Sequence, residues 1–436
     1  MQTPILRISL LLICLLSISA IGQNSLGFER DRHKQMLKMV ADDLRKNYFD
    51  PNFKGIDLDA KQKDALEKIV KAESVGQMEG IIAQFLMDFD DSHVFYLAPG
   101  KRNKTEYGFS FRMFGDKCLV FKVDKGSDAE KKGLAIGDQI YSIQRYEPTR
   151  ENLWKLRYGL FVLRPLPQME LGVIKTDGKQ VTLSVTPKIT VGKAITDLTE
   201  SFELNKYVRE RNDEYYKDVK QYFYEQSTDV MIWKIPGFSL DPGKVDEIIS
   251  RARKFQALVI DLRANGGGRV DMCTRLVGDM FPDPVKVSDE KRRKETKEIY
   301  TKGRGKDAFT GKLVVLVDSG SASASEIFSR VIQLEKRGTV IGDKSAGAVM
   351  ESRQFGNEIG LDVVVPFGAS ITVADMIMTD GKSLEKIGVT PDVIVIPTGA
   401  DLAARRDPVM ARALAVLGIT VTPEAAGAFF PVDDEK

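Results

Sequence analysis

The stretch that decides the reading runs Gly311-Lys312-Leu313-Val314-Val315-Leu316-Val317-Asp318-Ser319-Gly320-Ser321-Ala322-Ser323-Ala324-Ser325-Glu326-Ile327-Phe328. A buried apolar run breaks into small residues and then becomes an amphipathic helix. Such a strand-to-helix turn presents backbone N–H groups without partners, at the end of a helix whose dipole favours negative charge. A nucleophilic serine needs that position, because its oxyanion must meet donors already in place. The same residues also read as a capping box, with Ser323 at the N-cap and Glu326 three residues on, which requires no chemistry. The rest of the chain has to choose between these readings.

Composition narrows the choice. A chain of 436 residues should hold more than one domain. Hydrophobic residues make up 43% and charged residues 29%, as in ordinary globular proteins. With 64 basic residues against 62 acidic ones there is no footprint for nucleic acid. The block Lys291-Arg292-Arg293-Lys294 sits among acidic residues and reads as a solvated loop. At the N-terminus, Arg7 precedes an apolar run from Ile8 to Ile18 and the small-residue stretch Ala20-Ile21-Gly22. That pattern predicts a signal peptide over residues 1–22 and an exported product with a mature start near Gln23, in the periplasm, secreted, or held at a membrane. Beyond it only Cys118 and Cys273 remain, which is no disulfide framework, and with 2 histidines there is no zinc-ligand pattern. Neither metal nor organic cofactor is expected.

Along the chain the periodicity changes twice. Met36, Met39, Val40 and Leu44, then Ile81, Ile82, Phe85 and Leu86, recur at helical spacing, which predicts a helical domain over residues 23–100. From about Glu106 short strands follow at Tyr107–Phe111, Cys118–Val123, Gln139–Ile143 and Val181–Val185, marking a β-rich domain over 101–190. Charged residues with interspersed aromatics over 191–228 predict a helical linker. Over 229–400 strands alternate with helices, the signature of an α/β layer with a largely parallel sheet. Strands are expected at 230–235, 257–262, 313–317, 340–341, 361–365 and 393–396, and helices at 243–254, 271–280 and 324–336. The charged segment 287–307 reads as an exposed hairpin or loop. Residues 401–436 read as a C-terminal helix and a weakly ordered tail after Thr420.

Two further features bear on chemistry. Asp261-Leu262-Arg263-Ala264-Asn265-Gly266-Gly267-Gly268 follows an apolar strand, and its glycines permit close backbone approach to an anion; a flexible turn is the alternative. The other feature is His93, which sits after Ser92 where a helical segment ends. His33, by contrast, lies among charged residues at a helix start, where solvent exposure is expected. If a histidine serves as general base, it is His93.

Together with Ser321–Glu326, the Asp261–Gly268 loop, Ile341-Gly342-Asp343 and Gly388-Val389-Thr390-Pro391-Asp392, these residues make the chain resemble the S41 serine peptidases. That family includes the C-terminal processing peptidases and the tricorn protease core. The segment from Glu106 to Pro187 resembles a PDZ domain, with Tyr107-Gly108-Phe109-Ser110 at its carboxylate-binding loop and Gly133 to Asp138 as its usual turn. The resemblance implies a multidomain α/β protein: a helical N-terminal domain, a PDZ-like domain and a parallel-sheet catalytic core. It implies a peptidase acting on protein or peptide substrates with free C-termini, bound through Tyr107 to Phe111.

By this resemblance Ser323 is the nucleophile, and the oxyanion hole draws on Ala324 and on Gly266 and Gly267. Processing peptidases carry a general-base lysine where this chain has Ala348; Lys344 is close by but out of register and reads as an exposed loop residue. The tricorn-like branch uses instead a histidine preceded by a serine, with a late glutamate. Ser92, His93 and Glu385 match that set: His93 would deprotonate Ser323, Ser92 would orient the imidazole, and Glu385 would polarise Ser92. A Ser-Lys dyad through Lys344 and a non-catalytic ligand carrier on the same scaffold are the alternatives. Oligomeric state is not legible.

Overall fold

The three helices of the N-terminal segment form where the apolar spacing places them, in a computed structural model that describes residues 5–99, 103–191, 222–226, 229–360 and 364–430. Side chains of residues 1–25 lie outside the described residues, and so does 192–221, which carries most of the predicted linker helix. The chain divides into two units, residues 1–100 with 352–373 and residues 101–351 with 374–436. Among the described residues no helix is long and apolar enough to cross a membrane.

The first unit holds α1 (Ile5–Asn47), α2 (Leu58–Lys71) and α3 (Val75–Met87), followed by the short strand β1 (Phe95–Leu97). Met36, Leu37, Val40 and Leu44 of α1, Ile69 of α2 and Met78, Ile82 and Leu86 of α3 are fully buried. Each falls at three- or four-residue spacing, so one stripe of each helix faces the core. Asp57 and Ser74 cap α2 and α3 by accepting the Ala60 and Gln77 amides. His33 is buried in α1, and its Nδ1 lies 2.7 Å from the Glu29 carbonyl, so the expectation that it is solvent-exposed is corrected. Residues 368–370 pair antiparallel with β1, so a stretch that reads as part of the 229–400 segment joins the helical unit.

The second unit begins with a β-rich domain. Its strands are β2 (Asn103–Glu106), β3 (Phe109–Phe114), β4 (Lys117–Val123), β5 (Gln139–Ile143), β6 (Met169–Ile174), β7 (Gln180–Val185) and β8 (Lys188–Val191). Helices α4 (Asp128–Lys131) and α5 (Leu153–Arg157) lie between them. Strands β3 to β7 form one antiparallel sheet in chain order, which leaves β3 at an edge. The β6 strand was not expected from the pattern, because Gly172 interrupts it. That glycine is required by packing: a Cβ there would lie 2.5 Å from the Tyr141 ring.

The remaining elements are β9 (Tyr222–Gln226), β10 (Val230–Lys234), α6 (Pro242–Ala252), β11 (Ala257–Asp261), α7 (Val270–Gly278), β12 (Lys286–Arg292), β13 (Thr296–Tyr300), β14 (Lys312–Val317), α8 (Ala324–Leu334), β15 (Thr339–Gly342), β16 (Met350–Ile359), β17 (Val365–Met378) and β18 (Val393–Ile394). Strands β9, β10, β11, β14, β15 and β18 form the α/β sheet, while β12, β13, β16 and β17 belong to a separate sheet. Three helices follow, α9 (Gly399–Ala403), α10 (Pro408–Val416) and α11 (Pro423–Gly427). Strand order is β18-β15-β14-β11-β10-β9, parallel except for β9. Residues of α6, α7 and α8 cover one face, and α10 and α11 cover the other. Burial on both faces explains why these strands are apolar without alternation.

Four expectations are corrected. Residues 222–226 are a strand, not the end of a helix; Tyr-Phe-Tyr suits a pleated edge. The predicted strand at 361–365 falls partly on residues outside the described set, and its neighbours build the long β16 and β17 instead. The 287–307 segment is a hairpin, but β12 pairs with residues 374–378 as well as with β13, so Val287, Ser288 and Glu290 are buried. The tail after Thr420 is ordered through residue 430, with Ala426 buried and Phe429 and Phe430 packed on the second face of the sheet.

One ion network ties this face to the strand ends. Arg263 meets buried Asp261 at 2.7 Å and Asp407, the N-cap of α10, at 2.8 Å. Arg263→Met leaves Asp261 without its cation and should cost about 3–5 kcal/mol, read as a lower denaturant midpoint at unchanged slope.

Candidate active site

Strands β11 and β14 are parallel neighbours, with Asp261 opposite Leu316, so the loops that leave their carboxyl ends run side by side. The glycine loop and the Asp318–Ser325 turn are then stitched together. Asp318 Oδ1 accepts the Ala264 and Gly320 amides at 2.9 and 2.8 Å. The Asn265 carbonyl accepts the Ala322 amide and the Ser325 hydroxyl, both at 2.9 Å. Asn265 itself is fully buried, donating to the Ile235 carbonyl and accepting from Gly267.

The flanking serines have structural partners. Ser321 donates to the Leu262 carbonyl, Ser325 to Asn265 and Ser329 to Ser325, and all three are buried. Ser323, the middle serine of the repeat, is the half-buried one. Its backbone holds φ 56° and ψ −118°, a conformation that side-chain-bearing residues rarely adopt and that costs about 1–3 kcal/mol. Gly267 lies against it: a Cβ on Gly267 would sit 2.6 Å from Ser323 Cβ and 3.1 Å from the Ala324 nitrogen. Ala324 opens α8, so its N–H has no intrahelical partner. Of the two glycines named for the oxyanion hole, Gly267 already donates its N–H to Asn265 Oδ1 at 2.9 Å, which leaves Gly266 as the candidate donor. Cys273 beneath the turn is inert, since burial pushes its thiol up to about 12.

A second segment closes on the turn. The Ser323 amide is shared between the Ala348 carbonyl at 2.9 Å and Glu326 Oε2 at 3.0 Å. The next residue, Val349, donates its amide to Glu385 Oε2 at 2.9 Å, which brings Glu385 beside this segment. Lys344 is exposed, and its main-chain carbonyl accepts Arg150 Nη1 at 3.0 Å.

Ser92 and His93 belong to the first unit. Ser92 Oγ lies 2.8 Å from His93 Nδ1, and Asp91 Oδ1 accepts the His93 amide at 3.1 Å. Asp91 is fully buried and fixed by Tyr48 and Thr372 at 3.0 and 2.7 Å, so the turn carrying the pair is held from beneath. Burial pushes the His93 imidazole below its ordinary value, against the raising effect of Asp91, and keeps it neutral near pH 7.

In the β-rich domain the side chains of Tyr107 and Phe109 are buried, and Tyr107 Oη bonds the Leu166 backbone at 2.7 and 2.8 Å. That leaves the main chain of the Tyr107–Ser110 loop and the half-buried Ser110 to meet a ligand. Arg157 and Ser319 donate to the carbonyls of Phe111 and Met113 in the edge strand β3. The domain also grips the core through Arg112 on Asp318 at 2.6 Å and Arg150 on Asp343 at 2.5 Å. Sequence reasoning did not identify Asn265, Asp318 or the pair Arg112 and Arg150. Their partners are distant in the chain, so no local spacing marks them.

Residues 229–395 match the family model described as Peptidase family S41. A carboxy-terminal-processing protease of Bartonella bacilliformis is 31% identical over 147 residues, covering 33% of this chain and 31% of that protein. A probable CtpA-like serine protease of Staphylococcus epidermidis is 23% identical over 394 residues, covering 88% of this chain and 70% of that protein. Among solved structures, mature CPAF superposes with a TM-score of 0.64 at 14% identity, covering 86% of this chain and 94% of that one, which shows a shared fold.

The contact between Gly267 and Ser323 yields a sharp expectation. Gly267→Ala adds a methyl group where no space exists, at a φ of +100°. Labelling of Ser323 by a fluorophosphonate should be lost, while far-UV circular dichroism stays that of the parent.

Proposed function

From the match of residues 229–395 to the family model of peptidase family S41, we propose that the chain is an exported serine peptidase that hydrolyses peptide bonds through an acyl-enzyme on Ser323. The observation that carries this is the strained Ser323 backbone, set against Gly267 at the start of α8. A serine kept only as a helix cap would gain nothing from a positive φ.

In the proposed mechanism Ser323 Oγ attacks the scissile carbonyl as its proton passes to His93 Nε2. For that, Nδ1 must carry the other ring hydrogen and donate it to Ser92 Oγ, a geometry the 2.8 Å separation accommodates. The tetrahedral oxyanion is met by the Ala324 and Gly266 amides. Collapse breaks the C–N bond, His93 returns its proton to the leaving amine, and water then cleaves the ester by the same route. Neutrality of His93 supports its role as base, and Glu385 is assigned to polarise Ser92. The exposure of Lys344 speaks against a lysine dyad, which needs a desolvated amine.

The names of the relatives, which include a tail-specific protease of Haemophilus influenzae, favour substrates recognised at the C-terminus. The edge position of β3 supports the same reading at its Phe109 end, since Arg157 and Ser319 already hold the Phe111 and Met113 carbonyls further along the strand. Arg7 and the apolar run Ile8–Ile18 support export.

Three variants test the chemistry. Ser323→Ala should abolish fluorophosphonate labelling and lower peptidase activity by at least about 10³-fold. His93→Ala should do nearly as much, and Lys344→Ala should leave activity intact; full activity in the His93 variant would sink the assignment of the base. No labelling of the unmodified protein would favour the ligand carrier. Sequencing the N-terminus of the exported product should read from near Gln23.

A further inference from the structure

Glu326 occupies the third position of α8, where a capping glutamate is ordinarily exposed and meets one amide. Here it is fully buried and its two oxygens receive four donors from two segments. Oε1 accepts the Ser345 hydroxyl at 2.5 Å and the Gly347 amide at 2.7 Å. Oε2 accepts the Ala348 and Ser323 amides, both at 3.0 Å. Among the described residues no cation pairs with it, so its charge is compensated by hydrogen bonds and by the helix N-terminus alone. Burying a carboxylate without a counter-ion is costly, and a threonine or serine cap would hold α8 far more cheaply. What the carboxylate adds is the joint between the Ser323 turn and the 345–348 segment.

Resting on the reading of Ser323 as nucleophile, we infer that Glu326 is a positioning residue for catalysis: its ionised carboxylate fixes the nucleophile turn by clamping the Ser345–Ala348 segment to it. Three of the four partners are amides, which can only donate. A proton on Oε2 therefore puts a donor against two donors and releases part of the clamp, and one on Oε1 forces the Ser345 hydroxyl, which already accepts the Val389 amide at 2.6 Å, to give up donating to it.

Burial pushes the Glu326 carboxyl up to about 7, against the four hydrogen bonds that favour its ionised form. The titratable groups around it come from three segments. Helix α7 contributes Cys273, whose thiol is pushed up to about 12. The 343–349 segment contributes Asp343, paired with Arg150, and the exposed Lys344. The segment after β17 contributes Glu385, on the Val349 amide, and Lys386, whose amide bonds the Gly347 carbonyl at 2.7 Å. His93 lies in the other unit and is pushed below its ordinary value.

The sign of the linkage separates positioning from structure. An acid whose carboxyl is raised in the folded state holds its proton more tightly there than when unfolded. Lowering the pH through about 7 therefore adds stability through this group while removing the clamp. Activity and stability should move in opposite directions.

The test measures the rate constant of fluorophosphonate labelling and the Tm of the full chain from about pH 5.5 to 8.5, across the region where Glu326 titrates. The parent should label at pH 8, with the rate falling through a midpoint near 7 while Tm holds or rises. Glu326→Gln should label at least about tenfold more slowly at pH 8, about 1.4 kcal/mol in barrier, and lose the step near 7 without a collapse in Tm. Labelling of the variant at the parent rate, with the parent pH step, would overturn the inference and leave Ser323 as nucleophile. If the variant fails to fold, a flat parent rate between pH 8 and 6 overturns it alone. A parent that does not label at pH 8 refutes the nucleophile itself, and the clamp with it.

Discussion

Everything at the site depends on the parallel pairing of β11 with β14. Because Asp261 stands opposite Leu316, the two chains leave the sheet at the same level and the next residues cannot avoid one another. Antiparallel neighbours would have sent their exits to opposite ends. The pairing thus converts two loops about sixty residues apart in sequence, whose closure carries an entropic cost, into one surface. Asp318 and Asn265 then fix that surface, one by its carboxylate and the other by its main-chain carbonyl and amide group. Once these are satisfied, only Gly267 permits the turn to sit as close as it does.

The site stores unfavourable free energy in several forms. Ser323 has a strained backbone, Glu326 is a buried carboxylate that no cation meets among the described residues, and Ala264 takes φ 60° without being glycine. Each alone costs on the order of 1–3 kcal/mol, and a protein with net stability of about 5–15 kcal/mol cannot carry many. The apolar core beneath makes it possible: strands buried on both faces, with α7 and α8 packed on one side and α10 and α11 on the other. A rigid, over-determined scaffold is what lets a few positions remain out of their minima.

How much of this was legible follows from the range of each interaction. The α/β alternation, the helical start and most strand ends were readable, because periodicity is a local signal. Strand β9 is not legible because five residues are too few to separate the two periods, and its identity is settled by pairing with β10. The burial of β12 was missed because its charge is real; Arg292 meets Glu351 at 2.9 Å and also contacts Glu290, so the charges are compensated across strands and not by water. At the site, Ser323 and the glycine loop carried a spacing that could be read. Asp318 and Asn265 did not, since what distinguishes them is the partner found after folding.

Glu326 shows how one motif can be read correctly and still be undervalued. In the sequence it is a capping glutamate, and its carboxylate does accept the N-cap amide. The capping rule accounts for one of its four bonds. The remaining three reach Ser345, Gly347 and Ala348, a segment distant in sequence. Two of those three donors are main-chain amides, and the Ala348 carbonyl in turn accepts the Ser323 amide. What meets the Ser323 turn there is backbone, so its geometry does not depend on which side chain position 348 carries. It depends on the one buried carboxylate that all of these donors share.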